Sequence, residues 1–290
     1  MISAPQPEAV EAGIEVLKAG GNLIDATVCA ALVQTAVDPQ MCGIAGFGNI
    51  QIFLPEKGVH TTFDFHGRAP KAVKSDIWES LIEREAEDGW GFILSGRENE
   101  FGYGSISTPR TLATLDTILN LYGTRSLKEL IQPAIEYCRN GVLIRPHMSS
   151  YWNMPATAGR DPNISMVNKF KETQKIYCDE SGLVKKVGDL LLNPDMGQLY
   201  QDIGNYGVDH FYSGEISQRI ILDMQKNGGL LAIEDLQECT PEEHPPLWGT
   251  FFDYKIATNN PPGGGVMLVE MLNILEEFDL KGMGHNSVEY

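Results

Sequence analysis

The sequence predicts an α+β protein. Two observations carry this: segments with helical periodicity and recognisable caps recur along the chain, and a glycine-rich turn leads into two alternating segments that read as a β-hairpin. With 290 residues, roughly 75% of the unfolded chain's surface can be buried, so a substantial core is available. We read residues 1–290 as a single domain, incomplete at its C-terminal side.

The first helix opens with Pro7 at its first position, carries Val10, Ile14 and Leu17 on one face, and stops at Gly20-Gly21. Asn22 caps a second helix with Asp25 three residues on. Its stripe of Leu23, Ala26, Ala30, Val33 and Val37 is rich enough in alanine to predict close packing in an antiparallel pair. The segment Cys42 to Gly48 then feeds a hairpin of Asn49 to Leu54 and Val59 to Phe65 about the turn Pro55 to Gly58. Residues 75–104 mix apolar and acidic positions without a period and are read as an insertion or mobile loop.

Thr108 is expected to cap a helix with Pro109 in its first turn and Leu112, Leu115 and Leu119 on its face, ending at Tyr122-Gly123. Ser126 caps the next, which runs to Asn140-Gly141. Further helices are expected from Asn193 to Gly204 and from Gly214 to Lys226, a strand from Phe251 to Thr258, and a buried helix from Gly264 to Phe278 after Pro261-Pro262. That last segment is apolar almost all round, which implies burial against elements not found in the chain and a tendency to associate if left bare.

Composition excludes several classes. Hydrophobic residues at 42% and charged residues at 21% are those of a globular chain, neither disordered nor fibrous. A formal charge of -17 would repel a phosphate backbone, so nucleic acid is not an expected partner. The longest uncharged helical stretch, Ala26 to Val37, is far short of the ~18 to 20 apolar residues of a membrane span. The opening Met1 to Pro7 has neither the basic start nor the apolar run of a secretory signal, which makes the chain cytoplasmic as it stands and leaves the compartment open. Five cysteines at irregular spacing (Cys29, Cys42, Cys138, Cys178, Cys239) suit neither a disulfide framework nor a zinc site and are read as small buried hydrophobes.

Few motifs carry chemistry on their own. Gly46-Phe47-Gly48 lacks the third glycine of a dinucleotide fingerprint and enters a strand. Gly263-Gly264-Gly265 has no lysine after it and is read as a close-packing turn instead of an anion cradle. The six histidines show no metal-ligand spacing, no G-x-S-x-G elbow is present, and no cofactor is expected. The cluster Asp64-Phe65-His66-Gly67-Arg68-Ala69-Pro70 stands apart because it places an arginine after a strand in a strongly acidic protein. Its planar fork could clamp an anionic substrate by two charge-assisted hydrogen bonds, or could form an ordinary ion pair with Asp64 or another acid.

Taken together, the opening ISAPQPEAVEAGIEVLKAGGNLIDATVCAALVQTAVDP and the later DFHGRAP, STPRTLATLDTILNLYG, LKELIQPAIEYCRNGVLI, FYSGEISQRIILDMQKNGGLLAIEDL and NNPPGGGVMLVEMLNILEEFDL resemble, in order, the γ-glutamyltransferase family. The most specific parts are GGN-x-x-DA from Gly20, MQKNGG-x-L-x-x-EDL from Met224, and PP-x-GG before the last helix. The resemblance implies the large-subunit part of an αββα sandwich of the N-terminal-nucleophile hydrolase type. It implies a precursor that cleaves itself and a small-subunit partner from the same precursor, whose N-terminal threonine attacks a γ-glutamyl amide such as glutathione.

On that resemblance the nucleophile lies outside this chain, and no catalytic residue is expected within it. Thr61-Thr62 imitates a processing pair but falls in the strand before DFHGRAP and is read as strand filler. Typical members read D-x-R-E-x-A-P, their arginine holding the substrate carboxylate; here His66 takes that place, Gly67 replaces the acid, and Arg68 follows two residues later. The glycine run of the family is likewise altered at Cys42 to Gly48. Arg68 and His66 are therefore the expected substrate-binding residues, with Arg68 on the carboxylate. A related acylase for another amide, or a catalytically silent binding or scaffold protein, are the alternatives.

Overall fold

The structure is a computed structural model and describes residues 1–290. Helices α1 (Pro7–Lys18) and α2 (Leu23–Val37) pair through small residues: a Cβ at Gly13 would press on the Ala26 carbonyl oxygen at 3.2 Å. Asn22 and Asp25 form the reciprocal cap the sequence signals, the Asn22 side chain accepting from the backbone of Ile24 and Asp25 and Asp25 accepting from Asn22 N. Because α2 is buried on nearly every side, it is the central element of its unit.

Strands β1 (Asn49–Leu54) and β2 (Val59–Asp64) form the expected hairpin, with Asn49 opposite Asp64 and Leu54 opposite Val59. Residues 75–104 hold a short antiparallel pair, β3 (Ile82–Glu85) with β4 (Phe92–Leu94). Arg160 fastens its turn by bonding Asp88 Oδ2 at 2.6 Å and the Trp90 carbonyl oxygen at 2.7 Å.

Helix α3 (Thr111–Tyr122) starts later than expected: Arg110, not Thr108, is its cap position. Its first N–H groups are satisfied by a neighbouring loop, Thr111 N reaching the Gly46 carbonyl oxygen and Leu112 N that of Ile44, which leaves the Thr108 hydroxyl for another use. The single helix expected from Ser126 to Asn140 is two, α4 (Leu127–Leu130) and α5 (Gln132–Asn140), because Pro133 has no N–H to continue the ladder. A two-stranded pair, β5 (Val142–Leu143) with β6 (Leu190–Leu191), encloses α6 (Pro146–Trp152), α7 (Asn163–Lys169) and α8 (Lys171–Tyr177). The chain continues through α9 (Pro194–Tyr206), α10 (Asp209–Tyr212), α11 (Glu215–Lys226) and α12 (Ile233–Gln237).

Strand β7 (Glu242–His244) adds antiparallel to β2, with Thr62 opposite His244. Thr61 and Thr62 are both buried and both donate their hydroxyls to the His244 carbonyl oxygen at 3.1 Å. The strand expected over Phe251 to Thr258 is instead a hairpin, β8 (Leu247–Phe251) with β9 (Tyr254–Thr258), because Phe252 turns the backbone at φ 49. Helix α13 (Gly265–Glu276) and the short α14 (Leu280–Met283) follow. The expected burial of α13 is not met within this chain: Gly265 is its one buried residue, and Met267, Met271 and Ile274 are each more than half exposed. Its contact is with the β8–β9 hairpin, where Gly249 admits Val269, and a two-stranded surface covers only one stripe of a helix.

Two compact units emerge. One comprises Met1–Gly46 and Arg68–Cys239; the other comprises Phe47–Gly67 and Thr240–Tyr290. In the first, Leu32, Leu112, Ile118, Ile135 and Tyr200 are among the fully buried side chains, and Tyr200 shares a 2.5 Å hydrogen bond with Thr35. In the second, the sheet of β1, β2 and β7 buries Ile52, Leu54 and Phe63. No helix is long and apolar enough to cross a membrane.

Candidate functional site

Arg68 begins the second stretch of the larger unit and lines a cavity of ≈ 200 Å³ there. Its backbone is held on both sides by Thr108: Arg68 N donates to Thr108 Oγ1 at 2.8 Å, and Thr108 N donates to the Arg68 carbonyl oxygen at 2.9 Å. This is the use to which the Thr108 hydroxyl is put. Pro109 then starts the path into α3, and Arg110, 2% exposed, lines the same cavity.

The opposite wall comes from α12 and the residues after it. Asp235 caps that helix, its Oδ2 accepting from Ala232 N at 2.9 Å, while its Oδ1 accepts from Lys71 N at 3.0 Å. Lys71 Nζ and Glu238 Oε1 pair at 2.5 Å, and this hydrogen bond raises the lysine's pKa. Cys239 lies against the Asp235 carbonyl oxygen; burial pushes its thiol up to about 11, while the positive charges of Arg110 and Arg68 and a hydrogen bond with Thr108 draw it the other way. At that value the sulfur is a neutral thiol near pH 7 and a poor nucleophile.

Three cations (Arg68, Lys71, Arg110) thus meet two carboxylates (Asp235, Glu238) on one cavity. In a chain of formal charge -17, three cations lining one cavity depart from the average surface.

His66 belongs to the smaller unit. Its Nδ1 pairs with Asp64 Oδ1, and its backbone N donates to the same oxygen at 3.2 Å. The strand just before it is anchored by Phe65, which exchanges backbone hydrogen bonds with Gly48. The exposed Phe47 ring lies beside the imidazole, centroids 5.8 Å apart. Asp64 therefore orients the His66 ring.

Sequence reasoning selected Arg68 and His66 but missed Thr108 in its actual role, together with Arg110, Asp235 and Cys239. A signal was present: Arg110 is a second arginine in an acidic chain and sits in STPR, and Asp235 sits in EDL, both within stretches distinctive in their own right. No group of three or more His, Cys, Asp or Glu side chains is placed to hold a metal ion, and the five cysteines are free thiols.

Comparison with known proteins defines the class. A crystal structure of Helicobacter pylori gamma-glutamyltranspeptidase superposes with a TM-score of 0.86 at 28% identity, covering 99% of this chain and 77% of that one, so the fold is α+β of the N-terminal-nucleophile hydrolase type. The model of the gamma-glutamyltranspeptidase family matches residues 9–290, and the chain belongs to that family. It is 30% identical to the glutathione hydrolase proenzyme of Escherichia coli (strain K12) over 100% of this chain and 47% of that protein. It is also 30% identical to the acylase ACY 1 proenzyme of Pseudomonas sp. (strain V22), over 100% of this chain and 50% of that protein. The chain therefore spans about half the length of the curated relatives it matches.

Proposed function

We propose that this chain is the large-subunit part of a γ-glutamyltransferase-type acyltransferase or amidohydrolase that cleaves γ-glutamyl amides such as glutathione. Arg68 holds a carboxylate of the acyl donor through its guanidinium fork, and His66, oriented by Asp64, is a second substrate contact. A small subunit from the same precursor supplies the N-terminal threonine. Its hydroxyl attacks the amide carbonyl while the α-amino group takes the proton, the tetrahedral oxyanion collapses with loss of the amine, and water or an acceptor amine resolves the acyl-enzyme.

The observation that carries this reading is the presentation of Arg68 in a cation-rich cavity of a strongly acidic chain, its backbone fixed by Thr108. Family membership supplies the chemistry. A second reading is an acylase with a different acyl group; it is favoured by the acylase relatives and by His66 standing where typical members carry arginine.

A panel of amide donors with and without an α-carboxylate, offered to the processed protein, separates the two. Turnover confined to carboxylate-bearing γ-glutamyl donors supports the first reading, and equal turnover of donors lacking the carboxylate supports the second. No turnover of any amide by a processed protein would count against both.

A further inference from the structure

We infer that Phe47 is a specificity-determining residue: beside His66 it forms an aromatic wall that selects an acyl group carrying a flat, unsaturated ring over a saturated ring of the same size and charge. The inference rests on the amidohydrolase reading and on His66 as a substrate contact, and it extends that contact to a neighbour with no role so far.

The two rings meet because the β1–β2 ladder runs on past its strands. Asn49 faces Asp64, and one step further Gly48 and Phe65 exchange backbone hydrogen bonds, Phe65 N reaching the Gly48 carbonyl oxygen at 3.0 Å and Gly48 N that of Phe65 at 3.4 Å. Phe65 is buried and its ring lies over Gly48, where a Cβ would meet Phe65 Cε2 and Cζ at 3.2 Å. Side chains alternate across a sheet, so the next cross-strand pair, Phe47 and His66, stands on the other face. Their centroids lie 5.8 Å apart with the planes tilted by 34°. Asp64 holds the imidazole, and 63% of Phe47 remains exposed, so the phenyl ring offers an open face beside a fixed neighbour.

Both members of the pair fall at departures from the family pattern: His66 takes the place of the arginine, and Phe47 lies within the altered glycine run. The exchange changes what this end of the hairpin can hold. An arginine brings a positive charge and a fork for an acid, whereas His66 with ionised Asp64 carries no net positive charge in either protonation state of the imidazole. An open phenyl face beside that pair favours an uncharged ring, through buried apolar area and through offset or edge contacts between ring quadrupoles. A saturated ring buries similar area but is puckered and has no quadrupole to match.

The test gives the processed protein two chromogenic donors, the γ-(p-nitroanilides) of α-phenylglutarate and α-cyclohexylglutarate, with glutathione as reference. The pair share a carboxylate, a chain length and a carbon count, and differ in the flatness of one ring. The phenyl donor should exceed the cyclohexyl donor about fivefold in kcat/KM, Phe47→Leu should bring that ratio close to one, and Phe47→Tyr should retain it. Misfolding lowers both donors alike, so the ratio reads the ring contact and not stability; should Phe47→Leu fail to fold, Phe47→Met carries the same expectation.

A ratio near one in the parent, or one that loss of the phenyl ring leaves unchanged, overturns the inference. Turnover of glutathione with neither ring donor accepted also overturns it and leaves the amidohydrolase reading standing. No turnover of any of the three overturns that reading and the inference with it.

Discussion

Arg68 and Thr108, forty residues apart in sequence, hold each other through two hydrogen bonds of opposite direction, one from each backbone N–H. The consequence is that the arginine's Cα is fixed by the segment leading into α3 and not by regular secondary structure of its own. A guanidinium fork discriminates by geometry, so its anchor must not wander.

Replacing Thr108 by valine keeps the β-branched shape and removes the acceptor for Arg68 N. The expected cost is about 1 kcal/mol in urea unfolding, since a part-buried N–H loses its partner, together with a KM for the acyl donor raised several-fold at nearly constant kcat. An unchanged KM would show that this bond does not set the arginine's position.

Much of the architecture was legible in the sequence because local rules and tertiary packing agree there. Asn22 with Asp25 announces α2, Pro7 announces α1, and the alternation through Asn49 and Val59 announces the hairpin. Legibility stops where a distant partner takes over a local signal. Thr108 looks like a helix cap, yet Arg68 N claims its hydroxyl and a loop carbonyl satisfies α3 instead. Arg110 and Asp235 are 125 positions apart, and nothing in either neighbourhood announces that they border one cavity.

Asp25 offers a test of stability against pH. It is fully buried; burial alone would raise its pKa, but hydrogen bonds from the Thr124 hydroxyl and N–H, Asn22 N and Arg125 N outweigh that and leave it below the ordinary 3.8. A depressed folded-state pKa stabilises the fold above the unfolded value and loses that contribution as pH falls through the folded one. Asp25→Asn should therefore cost about 2–4 kcal/mol at pH 7 and flatten the decline of stability below pH ~4, both readable from urea titrations across pH. An equally steep acid decline in the variant would remove Asp25 from the account.

The glycines before α13 should differ sharply. A Cβ at Gly265 would overlap the Asn259 carbonyl oxygen and meet Thr258 Oγ1 at 2.7 Å, whereas at Gly264 the nearest atom is the flexible Met267 Cε at 3.5 Å. Thermal melts should show Gly265→Ala destabilised by about 2–3 kcal/mol and Gly264→Ala close to the parent. Equal melts would mean the turn yields without cost.

The apolar surface of α13 should govern the solution behaviour of the isolated chain. Met271 and Ile274 are 59% and 56% exposed on one helix, so replacing both by glutamate should reduce concentration-dependent light scattering without lowering the unfolding midpoint. Undiminished scattering would assign association to another surface.

The central claim is that Arg68 anchors a substrate carboxylate, and the most direct measurement is steady-state hydrolysis of glutathione by the processed protein and its Arg68→Ala variant. The account predicts a KM at least tenfold higher with kcat changed only a few-fold, the pattern of lost substrate binding. Kinetics identical to the parent would contradict it.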